Sequence, residues 1–368
     1  MKKFISLILI ALITVLTLSG CEGAYQYAEL NLEGTYTKEL AGTQLNVYNW
    51  GEYISDGSDD SIDVNKEFEK LTGIKVNYST FESNETMYSQ LKSGGVSYDI
   101  IIPSDYMIER LKNEKMLTKI DVSSLSNYHY IRDDYKSLFY DEADEYSIAF
   151  SVGMVGIIYN KSLISNPKHS WKTLWDKKYK NMSLNFSNPR DAFMTAQMIL
   201  GQDLNTTKKS DWDKAAKLLK KQKGILQSYV MDEVYGKMET GEAAIAPYYA
   251  GDYLTMYEVN EDLDFFYPKE GTNVFVDAIC IPSCVKHMEA AMMYINFLLE
   301  PDIALANAEY IGYASPNTAV ISNEEYYYYG NKILYPEEKD IPKIQYYHDI
   351  DDEIRSYYEN LWIDIKLY

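Results

Sequence analysis

Two short turns hold residues whose types and spacing could do chemistry. Trp50-Gly51-Glu52-Tyr53 follows a stretch that alternates like a strand, and Pro103-Ser104-Asp105-Tyr106 follows a short apolar run. Each turn combines an aromatic ring, a carboxylate and a bend. In open parallel sheets a ligand sits outside the carboxyl ends of the strands, so the two turns point to one site. The chain carries 35 Lys and Arg against 55 Asp and Glu, a net charge of -20, which attracts cations and repels nucleic acid and anionic lipid. A second reading pairs Glu52 with Asp277 as the two carboxylates of a glycosidase, with aromatic rings as sugar platforms. His129, His169, His287 and His348 lie far apart without H-E-x-x-H or C-x-x-C spacing, so no metal centre is expected. There is no G-x-S-x-G motif, which argues against a serine hydrolase.

The elements that must position these turns are visible as periodicity. Residues 45–50 alternate and are rich in β-formers. Val64, Phe68 and Leu71 recur at i, i+4 and i+7, and Gly73 closes that helix. Ile74, Val76 and Tyr78 then alternate as a strand, and 85–92 is helical. Residues 98–102 are a short apolar run stopped by Pro103, as expected of a buried parallel strand, and a helix follows over about 106–115. Strand and helix in regular succession predict an α/β fold with a parallel sheet covered on its faces. Farther along, 211–221 is an amphipathic helix, 272–281 a strand and 290–299 a helix that Pro301 should stop. The tyrosine run at 326–330 reads as a packed surface turn. At 368 residues, 46% of them hydrophobic, the chain is long enough for two domains with a large core.

The N-terminus supplies an address. Lys2 and Lys3 precede an apolar stretch at 4–15, and Leu18-Ser19-Gly20-Cys21 follows it. The stretch is short for a membrane span and has the form of a secretory signal. Cysteine directly after Ser-Gly resembles a bacterial lipobox, which implies a signal peptide at 1–20 and a lipid on Cys21. Residues 22–43 are polar, small and aperiodic and read as a tether. Cys280 and Cys284, in CIPSC, read as two small hydrophobes in preference to a local disulfide.

Taken together, VYNWGEYI, STFESNETMYSQLKSG, YDIIIPSDY, YPKEGTNVFVDAICIP and EYIGYASPNTA occur in this order from about residue 44 onward. They resemble the spermidine/putrescine-binding proteins of ATP-binding-cassette transporters. The resemblance implies a periplasmic-binding-protein-like fold: two α/β lobes with parallel-rich sheets, joined by hinge crossovers, with a ligand cleft between them. Lobe 1 would take 44–152 and about 276–322, and lobe 2 about 153–275 and 323–368. It implies a polyamine, putrescine or spermidine, as ligand, permease subunits as partners, no cofactor, no catalysis and a monomer outside the cytoplasm. A polyamine needs carboxylates and aromatic faces for its ammonium groups and apolar walls for its methylenes. The matching positions are Trp50, Glu52, Tyr53, Ser104 and Tyr106 from the first lobe, then Asp191, Tyr249, Asp252, Phe275, Asp277 and Tyr313. Departures from the family pattern are Asn188 in place of aspartate, Tyr249 and Phe275 in place of tryptophan, and no aromatic before Gly153. These weaken the case for tight spermidine binding and favour putrescine or another short diamine.

Overall fold

The computed structural model of the chain describes residues 30–58, 60–340 and 343–368. The expected signal peptide at 1–20, Cys21 and residues 22–29 lie outside them. Alternating apolar residues build β1 (Gln44–Trp50), with Leu45 and Val47 fully buried. Helix α1 (Val64–Thr72) starts where the Asp63 side chain accepts the Lys66 amide and ends at Gly73, as its spacing predicts. Strand β2 (Lys75–Phe81) follows, beginning one residue after Ile74. Ser83 caps α2 (Asn84–Ser93) through the Thr86 amide. The buried run is reduced to a two-residue strand, β3 (Ile100–Ile101), and α3 (Asp105–Asn113) leaves the turn after Pro103. Both β2 and β3 pair with β1 in parallel.

A short β4 (Leu117–Thr118) leads to β5 (Ser147–Asn160), which crosses into the second half of the molecule. There β6 (Ser183–Phe186), α4 (Pro189–Leu200), α5 (Lys209–Lys223), β7 (Leu226–Val230), α6 (Glu233–Glu239), β8 (Ile245–Tyr249), α7 (Ala250–Val259) and β9 (Leu263–Phe266) repeat the strand–helix style. The chain returns through β10 (Thr272–Pro282) to α8 (Met288–Leu298), α9 (Pro301–Ile311) and α10 (Thr318–Ile321), and ends in β11 (Ile344–Gln345) and α11 (Asp352–Leu367).

The main sheet runs β2-β1-β3-β10-β5-β8-β6-β7. Two parallel groups, β2-β1-β3 and β7-β6-β8, therefore flank two long antiparallel strands, β10 and β5, which belong to both. This is the expected two-lobed α/β architecture with strand crossovers at its centre. Helix α8 packs on α1 through Phe68, Tyr294 and Phe297, with ring centroids 5.0 and 5.3 Å apart. Helix α11 covers the other half, where Tyr358 stacks on Trp212 at 4.6 Å.

The strand expected over 272–281 is present and runs antiparallel to both neighbours in the main sheet, because it is a return crossover. Two expectations need correction. Pro301 begins α9 rather than merely stopping the helix before it, since a missing N–H costs nothing in a first turn. The tether does not extend to residue 43: the segment from Asn31 is hydrogen-bonded to the body. The tyrosine run is indeed packed in alternation, with Tyr326 and Tyr328 buried and Tyr327 and Tyr329 exposed. Cys280 and Cys284 are free thiols.

Candidate functional site

Strand ends bring the predicted residues together. β10 shifts register between Asp277 and Ala278, and at this irregularity the backbone of Ser104 bridges to Asp277. The Ser104 and Tyr53 hydroxyls each donate to the Asp277 carboxylate at 2.6 Å. The Tyr53 ring lies 6.0 Å from Tyr313, which lies 6.2 Å from Phe275, which lies 5.5 Å from Tyr249. The Tyr249 hydroxyl donates to Asp191 at 2.7 Å, and Tyr347 donates to the other oxygen at 2.9 Å. Tyr347 meets Tyr106 edge-on at 6.2 Å. Asn84 closes the loop, its amide donating to the Tyr106 and Ser104 oxygens at 3.1 Å each. Contacts thus pass around a complete circuit from lobe to lobe and back. Asp252 hangs from it, accepting from Tyr313 and, at 2.7 Å, from Tyr235.

Not every predicted residue falls on this circuit. Glu52 is exposed at the tip of its turn with φ 51°, and its carboxylate accepts from Tyr310 at 2.8 Å. Trp50 packs on Phe81 at 4.5 Å, and its indole N–H is buried without a partner. Asn84, Tyr235 and Tyr347 were not predicted. Asn84 lies within the ESNETMY stretch, where a residue so close to a cap reads as helix start. Tyr235 and Tyr347 carry no sequence signal.

Burial dominates the electrostatics. Asp277 is 3% exposed, and loss of water pushes its pKa up to about 6, opposed by the Ser104 and Tyr53 hydrogen bonds. Burial likewise raises Asp252 and Asp191, opposed by their paired tyrosine hydroxyls, and for Asp191 also by the charge of Arg190. Asp105, fully buried beneath the second turn, is raised well above its ordinary value by burial, while the Tyr106 and Val276 amides oppose the shift. The tyrosines hold the opposite position: burial, reinforced by the adjacent carboxylates, keeps Tyr53, Tyr249, Tyr313 and Tyr347 firmly protonated. They are therefore permanent donors to the acids.

Two details shape this cluster. A Cβ on Gly153 would lie 2.0 Å from the Phe275 ring, so this glycine is what lets the ring lie across β5. Asn188 caps α4 through the Arg190 amide at 2.9 Å and donates to Asp191 at 3.2 Å. It serves as helix cap and hydrogen-bond partner, and adds no charge. Among the described residues no group of three His, Cys, Asp or Glu side chains is arranged to hold a metal ion. No described helix is long and apolar enough to cross a membrane.

A sheet shared by two lobes, with buried carboxylates and aromatic rings where they meet, is the arrangement of a binding protein. The model of the bacterial extracellular solute-binding proteins matches residues 97–333. The spermidine/putrescine-binding periplasmic protein of Salmonella typhimurium is 35% identical over 318 residues, covering 86% of this chain and 89% of its own. The protein of that name from Escherichia coli strain K12 is 34% identical over 325 residues, covering 88% and 91%. Among solved structures, the spermidine/putrescine ABC transporter substrate-binding protein PotD from Streptococcus pneumoniae superposes with a TM-score of 0.77 at 33% identity, over 89% of this chain and 99% of its own. The chain belongs to the bacterial extracellular solute-binding proteins, in the family of the spermidine/putrescine-binding periplasmic proteins.

Proposed function

We propose that the protein is an extracytoplasmic receptor that captures a polyamine, putrescine or spermidine, and hands it to the permease of an ABC importer without altering it. The observation that carries this reading is chemical. Asp191, Asp252 and Asp277 are carboxylates in a cleft of aromatic rings, each hydrogen-bonded by two or more side-chain donors, and the bases Lys and Arg ion-pair with none of them among the described residues. Anions concentrated in a dry site need a cation, and an alkyl diammonium supplies two charges with methylenes to lie along Phe275, Tyr313 and Tyr249. The neutral Asn188 leaves one acid fewer at the Asp191 end, which favours the shorter ligand.

The two lobes of this receptor are taken as 44–152 with about 276–322 and about 153–275 with 323–368. The packing of α8 on α1 and of α11 on α5 supports it. Between them, the Asp349 amide donates to Glu109 at 2.7 Å and Arg110 approaches Asp352 at 3.5 Å, contacts that hinge opening would break. The binding set comprises the circuit residues together with Asp252, with Trp50 and Glu52 at its outer edge. The chain acts as a monomer, held to the membrane by lipid on Cys21. Calorimetric titration of residues 22–368 with putrescine and spermidine at low salt tests the reading. Saturable binding of one or both is expected, and silence from both overturns it.

A further inference from the structure

Residues 31–36 lie against the end of the first lobe in a manner that a free tether would not. Glu300 is fully buried at the start of α9, and no lysine or arginine pairs with it among the described residues. Its carboxylate accepts the Glu33 amide at 2.8 Å, the Gly34 amide at 2.7 Å and the Tyr36 hydroxyl at 2.5 Å. A buried carboxylate without a cation depends on such donors, so the segment and Glu300 need one another. Two residues on, in the first turn of α9, Asp302 accepts the Asn31 amide at 2.9 Å. The Glu33 side chain accepts from Tyr130 at 2.6 Å, and the Tyr36 ring meets Phe297 edge-on at 5.5 Å. Gly34 has no room for a side chain: a Cβ there would lie 2.7–2.8 Å from Glu300, Tyr36 and Asn296.

We infer that residues 31–36 form a clasp that fixes where the chain leaves the body, at the edge made by α8, α9 and Tyr130, so that this edge faces the lipid surface. The inference rests on the lipid anchor at Cys21 proposed above. With the clasp shut, ten residue steps separate Cys21 from Asn31, a reach of at most about 35 Å. With the clasp open, twenty-two steps would separate Cys21 from Thr43, a reach of at most about 75 Å. A net charge of -20 is repelled by anionic headgroups, so charge does not draw the body onto the bilayer. The clasp thus replaces electrostatic adsorption as the means of presenting one side of the receptor to the bilayer.

Two measurements on the full chain test this. Hydrogen exchange should find the Glu33 and Gly34 amides protected, with Gly34→Val speeding their exchange at least tenfold while putrescine affinity stays unchanged. Equal exchange in both forms overturns the clasp. The second uses lipidated chain on phosphatidylcholine vesicles carrying an acceptor dye on the headgroups, with a donor at His129→Cys, beside the clasp, or at Lys221→Cys, on α5. Transfer should be greater from position 129, and Gly34→Val should reduce the difference at least twofold. A vesicle-bound chain with equal transfer from both positions overturns the membrane-facing edge while leaving the anchor intact. A chain that gains no lipid and never partitions onto vesicles overturns the anchor, and the membrane-facing edge with it, while exchange still judges the clasp itself.

Discussion

Replacing Asp277 by asparagine should move binding and folding in different ways. The carboxylate is buried, and its pKa of about 6 against an ordinary 3.8 means that the ionised form is disfavoured by about 3 kcal/mol in the folded protein. Asparagine removes that penalty, which is already net of the Ser104 and Tyr53 hydrogen bonds, but brings an amide N–H group that must find an acceptor in the same buried place. These changes offset, so stability of the empty protein should stay within about 1 kcal/mol of the parent by urea denaturation at pH 7.5. Binding has no such offset. A hydrogen bond to a charged partner contributes about 1.5–3 kcal/mol, so the dissociation constant for putrescine should rise about 10- to 150-fold by calorimetry. The pH dependence gives an independent check. Because the folded protein holds this proton more tightly than the unfolded chain does, the penalty is present in full above about pH 6. It is relieved as the pH falls towards 4, so stability from this group rises on acidification and the variant lacks that contribution. Diamine affinity of the parent should fall as the pH drops through 6, and the variant should lose this component. A dissociation constant within twofold of the parent at pH 7.5 would remove Asp277 from the site. A stability loss above about 3 kcal/mol would show that the carboxylate is chiefly structural.

Other substitutions probe the rest of the circuit. Asn188→Asp keeps a cap for α4 but sets a second carboxylate beside Asp191, so competition titrations should show the spermidine-to-putrescine affinity ratio rising several-fold. Gly153→Ala forces the Phe275 ring aside and should weaken every polyamine alike, at least fivefold in titration, with about 1–3 kcal/mol of destabilisation. Tyr347→Phe deletes one donor to Asp191 but leaves the ring against Tyr106. It should raise the dissociation constant about three- to tenfold, measured by the same titration, with little change in melting temperature.

The first three strand–helix pairs were legible because each rests on local signals: alternation before Trp50, the helical spacing of Val64, Phe68 and Leu71, proline after β3. The run at 272–281 was legible as a strand, but its direction was not, since that depends on which partner it meets about 180 residues away. The site divides in the same way. Tyr53, Ser104 and Asp277 are reachable from motif order, whereas Tyr347 lies in an irregular segment and bonds Asp191 at a separation of 156 residues. Glu52 and Trp50 stand apart from the circuit for a local reason. Their residue types suit the chemistry, but the bend after β1 carries Glu52 out to Tyr310 and seats Trp50 on Phe81. The docking of residues 31–36 was hidden for a related reason. A polar, aperiodic stretch looks the same whether or not a buried acceptor such as Glu300 awaits its amides.

The position of α11 bears on how the chain acquires its shape after export. Phe193 and Trp212 belong to helices made midway through the chain, yet their aromatic cover, Tyr358 and Trp362, arrives more than 140 residues later. The first lobe waits in the same way for Tyr294 and Phe297 to cover Phe68. Neither lobe can therefore mature while its N-terminal portion alone has emerged, and contacts this remote in sequence make for slow folding. Almost the whole chain must have emerged before either core can close. Removing only the last turns of α11 would expose aromatic surface in a half that was otherwise fully synthesised, leaving a species prone to aggregation and proteolysis.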